Sequence, residues 1–256
     1  ASGQVGWLAV EPSPSASVLR VELSASLASE SPAILARLER VFDLAAEPQR
    51  IAAQLGSLAT NPGLRVPGAF DGFEIAVRAI LGQQVSVKSA TTLAGRFIAT
   101  FGQPVETPFP ALTHLTPTAK RVAESNIDEI ASLGIIAARA KSILALAETI
   151  ASKKIFLEPG VEVEQTMTRL KELPGIGEWT AQYIAMRALR WPDAFPAGDV
   201  ALHKALDVQG SKHPAREAEA AAQAWKPWRS YAVIRAWSTL GATLPKPRTA
   251  PPADRQ

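Results

Sequence analysis

From Pro32 onward the apolar positions of the chain fall three and four residues apart. Ile34, Leu35, Leu38, Val41 and Phe42 line one side of a helix, with Pro32 in the first turn, where its missing N–H is not needed. Before that point the period is two. QVGWLAV and SVLRVEL alternate apolar and polar residues around the turn-rich EPSPSAS, which predicts a β-hairpin and no further sheet. Helical spacing predicts segments over 31–43, 48–59, 71–82, 86–101, 117–124, 136–152, 162–172, 177–190, 199–206, 214–224 and 227–240. Asp71, Thr116 and Glu162 are the expected starts, and Gly82, Gly102 and Gly134 the expected stops. No self-similarity stands out at the periods of solenoid proteins, and the alanine-rich run at 215–224 reads as helix propensity. The proline-rich end, PKPRTAPPADRQ, has too little apolar content to fold and is expected to be a disordered tail over 246–256. A lone hairpin is marginal, so the chain is expected to be a piece of a longer polypeptide.

Composition narrows the chemistry. The 256 residues are 47% hydrophobic, enough for a real core in one large domain or two to three small ones. With no cysteine, disulfides, thiolate zinc sites, iron–sulfur clusters and a cysteine nucleophile are all excluded. His114, His203 and His213 are too few and too scattered to suggest a metal site, so no catalytic metal is expected. No apolar run approaches the roughly 18 residues of a membrane span, and ASGQVGWLAV lacks the order of a signal peptide. A cytoplasmic protein without membrane contact is the expectation. The net charge of +3 permits a polyanionic partner without demanding one.

The densest local signal is LPGIGEWTA at 173–181. Glycines there can take positive φ and leave the amides of the turn and of the following helix unpaired, an arrangement that binds anions. With TMTRLKE before it and EWTAQYIAMRAL after it, the unit is helix, glycine hairpin, helix. Such a unit presents amides to a phosphodiester backbone, and it is equally the form of a plain αα-corner. Ala181, Ala185 and Ala188 on the second helix let a neighbour pack closely. About twenty residues on, FPAGDVALHKAL delivers Asp199 from a proline–glycine loop to a helix start. Alone, that aspartate would be an N-cap.

Together these residues resemble the helix-hairpin-helix–Gly/Pro–Asp superfamily of DNA glycosylases. VRAILGQQVSV at 77–87, LPGIGEWTAQYIAMRAL at 173–189 and WKPWRSYAVIRAW at 225–237 follow the order and spacing of its AlkA-type 3-methyladenine DNA glycosylase II members. The resemblance runs from the N-terminal hairpin to Leu240. It implies a mainly α fold: a small, truncated N-terminal α/β domain over 1–47, then two helical subdomains over 48–245. The helix-hairpin-helix would occupy 162–190, with the active-site cleft between the subdomains. It also implies a bacterial enzyme, expected to be a monomer acting at the nucleoid. In base excision repair it would flip alkylated purines such as 3-methyladenine and 7-methylguanine from double-stranded DNA and hydrolyse the N-glycosidic bond. An upstream alkyl-transfer or regulatory domain is a further expectation, because some bacterial AlkA-like domains follow such a module.

The resemblance implies Asp199 as the catalytic carboxylate, stabilising charge on the deoxyribose and orienting water. Gly175, Ile176, Gly177 and Thr180 would hold the DNA backbone, helped by a structural monovalent cation on hairpin carbonyls. Bifunctional members carry a lysine at the position of Trp179 and form a Schiff base through it; that amine is missing here, which implies no lyase activity. Trp179 and Tyr183, four residues apart on one face, would surround the flipped base with Trp237, and their rings would favour a cationic base. Trp7, Trp225 and Trp228 are expected to be packing residues. Where an AlkA-type leucine fills the gap left by the flipped base, this chain has Gln84, which can fill a stack and also hydrogen-bond the orphaned partner base. Gln83 reads as part of a polar turn. Two other readings stay open: a helix-hairpin-helix DNA-binding module without chemistry, and a glycosylase for a mismatched adenine, uracil or another damaged base.

Overall fold

The computed structural model describes residues 3–58, 61 and 63–240, so the expected disordered tail lies outside the described residues. The hairpin forms as predicted, with β1 (Leu8–Pro12) antiparallel to β2 (Leu19–Leu23) and Val10 opposite Val21. A 3-10 turn over Ala25–Glu30 leads into α1 (Ser31–Val41), followed by α2 (Pro48–Leu55). Then come α3 (Gly72–Leu81), α4 (Val87–Phe101), α5 (Ala119–Ala123), α6 (Ile127–Ala131) and α7 (Ala137–Ala151). The rest are α8 (Val163–Lys171), α9 (Glu178–Arg187), α10 (Val200–Ala205), α11 (Pro214–Ala222) and α12 (Arg229–Thr239).

Side-chain caps set several of the starts. Asp71 accepts from the Glu74 amide over 2.7 Å, and Ser86 accepts from the Ser89 amide over 3.2 Å. Helix α5 begins from Thr118, which caps the Arg121 amide, two residues beyond the expected Thr116. Helix α6 was not expected. At five residues it is too short to show a period, yet Asn126 and Glu129 close a reciprocal cap: the Glu129 amide donates to Asn126 over 2.9 Å, and the Asn126 amide to the Glu129 carboxylate over 2.6 Å.

Two helical lobes share one core. Helices α3 to α7 make the first lobe, and α8 to α12 with α2 make the second; α3 bridges them by packing along both α7 and α9. Ile80, Leu81, Ile143, Leu146, Leu170, Ile184 and the small Ala181 and Ala185 are fully buried at these contacts. The alanines of α9 therefore do what their spacing predicted. Trp225 and Trp228 pack against the same core, as expected. The segment after α1 is tied to the second lobe through buried Asp43, which accepts from the Val66 amide over 3.2 Å and from the Tyr231 hydroxyl over 2.7 Å, and pairs with Arg190.

The first lobe repeats the turn of the second. At the α6–α7 corner Gly134 has φ +86°, with Ile135 buried after it; at the α8–α9 corner Gly175 has φ +73°, with Ile176 buried after it. Both turns need glycine for their left-handed residue, and both drop an isoleucine into the core to fix the angle of the next helix.

Candidate active site

The loop before α10 is held from three sides. The Phe195 amide donates to Gln182 of α9 over 2.9 Å, and the His203 ring of α10 meets the Ala197 carbonyl at 2.6 Å. From α12, Arg229 grips both oxygens of Asp193 at 2.8 Å, and Ser230 donates to the Trp191 and Ala194 carbonyls over 2.8 and 3.2 Å. Arg229 is buried, so its bidentate pair with Asp193 and its bond to Glu219 are charge-assisted and little screened. The end of this loop is Asp199.

Asp199 is the N-cap of α10: its Oδ1 accepts from the Leu202 amide over 2.6 Å. The bland reading is thus correct and incomplete. The same carboxylate accepts from the indole N–H of Trp179 at Oδ2 over 2.7 Å and from that of Trp237 at Oδ1 over 3.0 Å. Three donors converge on one half-exposed carboxylate, which fixes its orientation. The aromatic group also assembles, with Trp179 and Tyr183 stacked at 5.4 Å and 16°, and Tyr183 and Trp237 at 6.5 Å.

Trp179 and Asp199 border a cleft of about 730 Å³ whose walls also include Gln84, Arg139, Gly175 and Gly177. An adjoining hollow of about 240 Å³ is bounded by Val85, Val87, Trp179 and Tyr183. Sequence reasoning missed Arg187, whose guanidinium lies 5.5 Å from the Tyr183 ring centroid, donates to its hydroxyl over 3.1 Å and reaches the Pro67 carbonyl over 2.6 Å. Its position one turn after Tyr183 was the available signal. Arg139 was missed as well, because nothing in AARAKS marks it out.

The hairpin residues separate into two kinds. Gly175 and Gly177 are exposed, and among the described residues their amides have no backbone partner. Ile176 is different: its side chain is buried and its amide donates to the Leu173 carbonyl over 3.2 Å, so neither is free to face DNA. Thr180 is buried too, and its hydroxyl accepts from Gln83 over 3.0 Å, which leaves its amide as the group able to reach a phosphate. Glu178, first residue of α9, is turned sideways. Bonds to Gln182 and Lys171 hold its carboxyl below the usual range, and Lys171 ties α8 to α9 at 2.9 Å.

Gln84 lies exposed on the cleft rim with φ +52°. Gln83 points the other way, into the hairpin. Among the described residues no cluster of three or more His, Asp or Glu could hold a metal ion. The carbonyl oxygens of the hairpin are hard donors, the kind that suits an alkali cation, and of these the Gly175 carbonyl already accepts from Gln83 over 2.9 Å.

Comparisons with known proteins agree with this geometry. Residues 1–71 match the AlkA N-terminal domain, and residues 77–230 match the HhH-GPD superfamily of base excision DNA repair proteins. DNA-3-methyladenine glycosylase 2 of Escherichia coli is 38% identical over 224 residues, which are 87% of this chain and 77% of that protein. Proteins of Mycobacterium tuberculosis named probable bifunctional transcriptional activator/DNA repair enzyme AlkA are 41% identical over 80% of this chain, but the match spans only 42% of their length. In fold, the 3-methyladenine DNA-glycosylase of Archaeoglobus fulgidus superposes with a TM-score of 0.76 at 20% identity, covering 95% of this chain and 86% of that one. The chain belongs to the HhH-GPD superfamily of base excision DNA repair proteins and, within it, to the DNA-3-methyladenine glycosylase family.

Proposed function

We propose that this chain is a monofunctional glycosylase that releases alkylated purines from double-stranded DNA and leaves an abasic site without nicking the strand. The observation that carries this reading is Asp199 held between two indole N–H groups at a cleft beside the glycine hairpin. A module that only bound DNA would have no use for an oriented carboxylate there. The exposed hairpin amides receive a backbone phosphate, Gln84 fills the stack, and the everted base enters the aromatic cleft.

As the glycosidic bond lengthens, positive charge grows on the deoxyribose, and the Asp199 carboxylate stabilises it and orients the attacking water. One carboxylate suffices because a purine alkylated at N3 or N7 is already cationic and departs without protonation. Trp179 stands where a Schiff-base mechanism would need an amine, so water is the nucleophile. The indoles act twice, orienting Asp199 through their N–H groups and offering ring faces to a cationic base.

The fusion expectation is supported by the M. tuberculosis relatives, which are named as bifunctional and are more than twice as long as the matched stretch. We place this chain as the repair portion of such a polypeptide. The test of the activity is chromatography of bases freed from methylated duplex DNA, run beside a strand-integrity assay. Release of 3-methyladenine with strands intact until alkali treatment is expected; strand breaks formed by the enzyme alone would overturn the monofunctional assignment.

A further inference from the structure

Three separated segments of the cleft wall meet at Gln83. Its side-chain nitrogen donates one N–H to the Gly175 carbonyl over 2.9 Å and the other to the Thr180 hydroxyl over 3.0 Å. Its own backbone carbonyl accepts from the Arg139 guanidinium of α7. The turn between α3 and α4 is thereby clasped to the hairpin on one side and to the first lobe on the other. The next residue, Gln84, is exposed and sits at φ +52°, a left-handed conformation unfavourable to any residue with a side chain. Such a conformation persists where its surroundings over-determine it. Here the Gln83 clasp fixes one side and the Ser86 cap of α4 fixes the other, at 3.2 Å from the Ser89 amide.

Resting on the glycosylase reading above, we propose that Gln83 is a positioning residue that joins the plugging turn to the phosphate-holding hairpin. Gln84 then enters the base stack at a set distance from the phosphate the hairpin has gripped. Loss of the clasp leaves the hairpin amides intact, so backbone affinity survives, while the plug arrives out of register and the everted state is poorly held.

The test uses Gln83→Met, which keeps the side chain's length and removes both donors. Three readouts are compared with wild type: melting temperature, affinity for undamaged duplex, and fluorescence of a 2-aminopurine placed beside the lesion, which brightens on unstacking. Melting and duplex affinity are expected to stay within about twofold-equivalent limits, while the fluorescence rise shrinks and excision slows roughly tenfold. In a Gln84→Ala background the same substitution is expected to add less than about twofold, because Gln83 acts through Gln84. Wild-type fluorescence and excision in Gln83→Met, or losses that multiply in the double variant, would overturn the proposal. Should Gln83→Met melt far below wild type, Thr180→Val, which keeps the backbone amide that can reach a phosphate and removes only the hydroxyl acceptor of the clasp, is read identically. A wild-type protein that releases no base would count against the glycosylase reading alone, since the fluorescence comparison needs only binding.

Discussion

The indole N–H of Trp179 donates to Oδ2 of Asp199 over 2.7 Å, across twenty residues of chain and from a different helix. A residue that sequence reasoning assigns to the base pocket thus also sets the direction of the carboxylate. Replacing Trp179 with Phe keeps an aromatic face and deletes the donor. We expect kcat for 3-methyladenine release to fall about tenfold with a smaller change in KM, as befits an interaction that matters most when charge develops on the sugar. Steady-state kinetics on methylated duplex would show this. A rise in KM at constant kcat would instead confine the indole to base binding.

The two hairpin glycines make different predictions. At Gly175 a Cβ would sit 2.2 Å from the Ser142 hydroxyl, and the residue is at φ +73°, so Gly175→Ala is expected to destabilise the fold by about 1–3 kcal/mol as well as weaken DNA binding. At Gly177 the backbone is extended and nothing lies within 4 Å of the added carbon. Gly177→Ala should therefore melt like wild type and lose affinity for all duplex sequences alike, with a shallower salt dependence. An unchanged dissociation constant and salt slope in Gly177→Ala would reduce the hairpin to a corner.

Much of this was readable in advance because the signals were local. Helix α9, the glycine turn and the position of Asp199 depend on spacing and φ requirements written into LPGIGEWTA and FPAGD, and the side chains of Trp179, Tyr183, Trp237 and Asp199 do come together. What escaped depends on contacts between distant segments. The hydroxyl of Thr180 turns inward to Gln83, ninety-seven residues away, and Ile176 is drawn into the core, so two of the four residues expected to hold DNA are largely spent inside the protein. Arg139 gains its role from Gln83, fifty-six residues away, and Arg187 adds to its local contact with Tyr183 a bond to the Pro67 carbonyl, one hundred and twenty residues away. Helix α6 was missed because it is a little over one turn long, too short for Ile127, Ile130 and Ala131 to establish a repeating period.

Tyr231 gives a prediction at alkaline pH. Burial, reinforced by its hydrogen bond to Asp43, pushes its hydroxyl well above the ordinary value of 10.0. A folded-state pKa above the unfolded one means that this stabilisation is complete below about pH 10 and is lost as pH rises beyond it. Tyr231→Phe should cost about 1–2 kcal/mol at neutral pH through the lost bond to a charged acceptor. It should also flatten the fall in stability above pH 10, which denaturant titrations at pH 8 and 10.5 would compare. Parallel pH dependence in the two proteins would show that the Tyr231 hydroxyl is not linked to folding.

The central claim is that Asp199 carries the chemistry while other groups carry the binding. The most direct measurement is the rate of 3-methyladenine release from methylated duplex by Asp199→Asn, beside its dissociation constant for the same duplex. We predict a loss of release on the order of 10²-fold or more, with affinity kept within about threefold. Release at the wild-type rate by the asparagine variant would contradict the account.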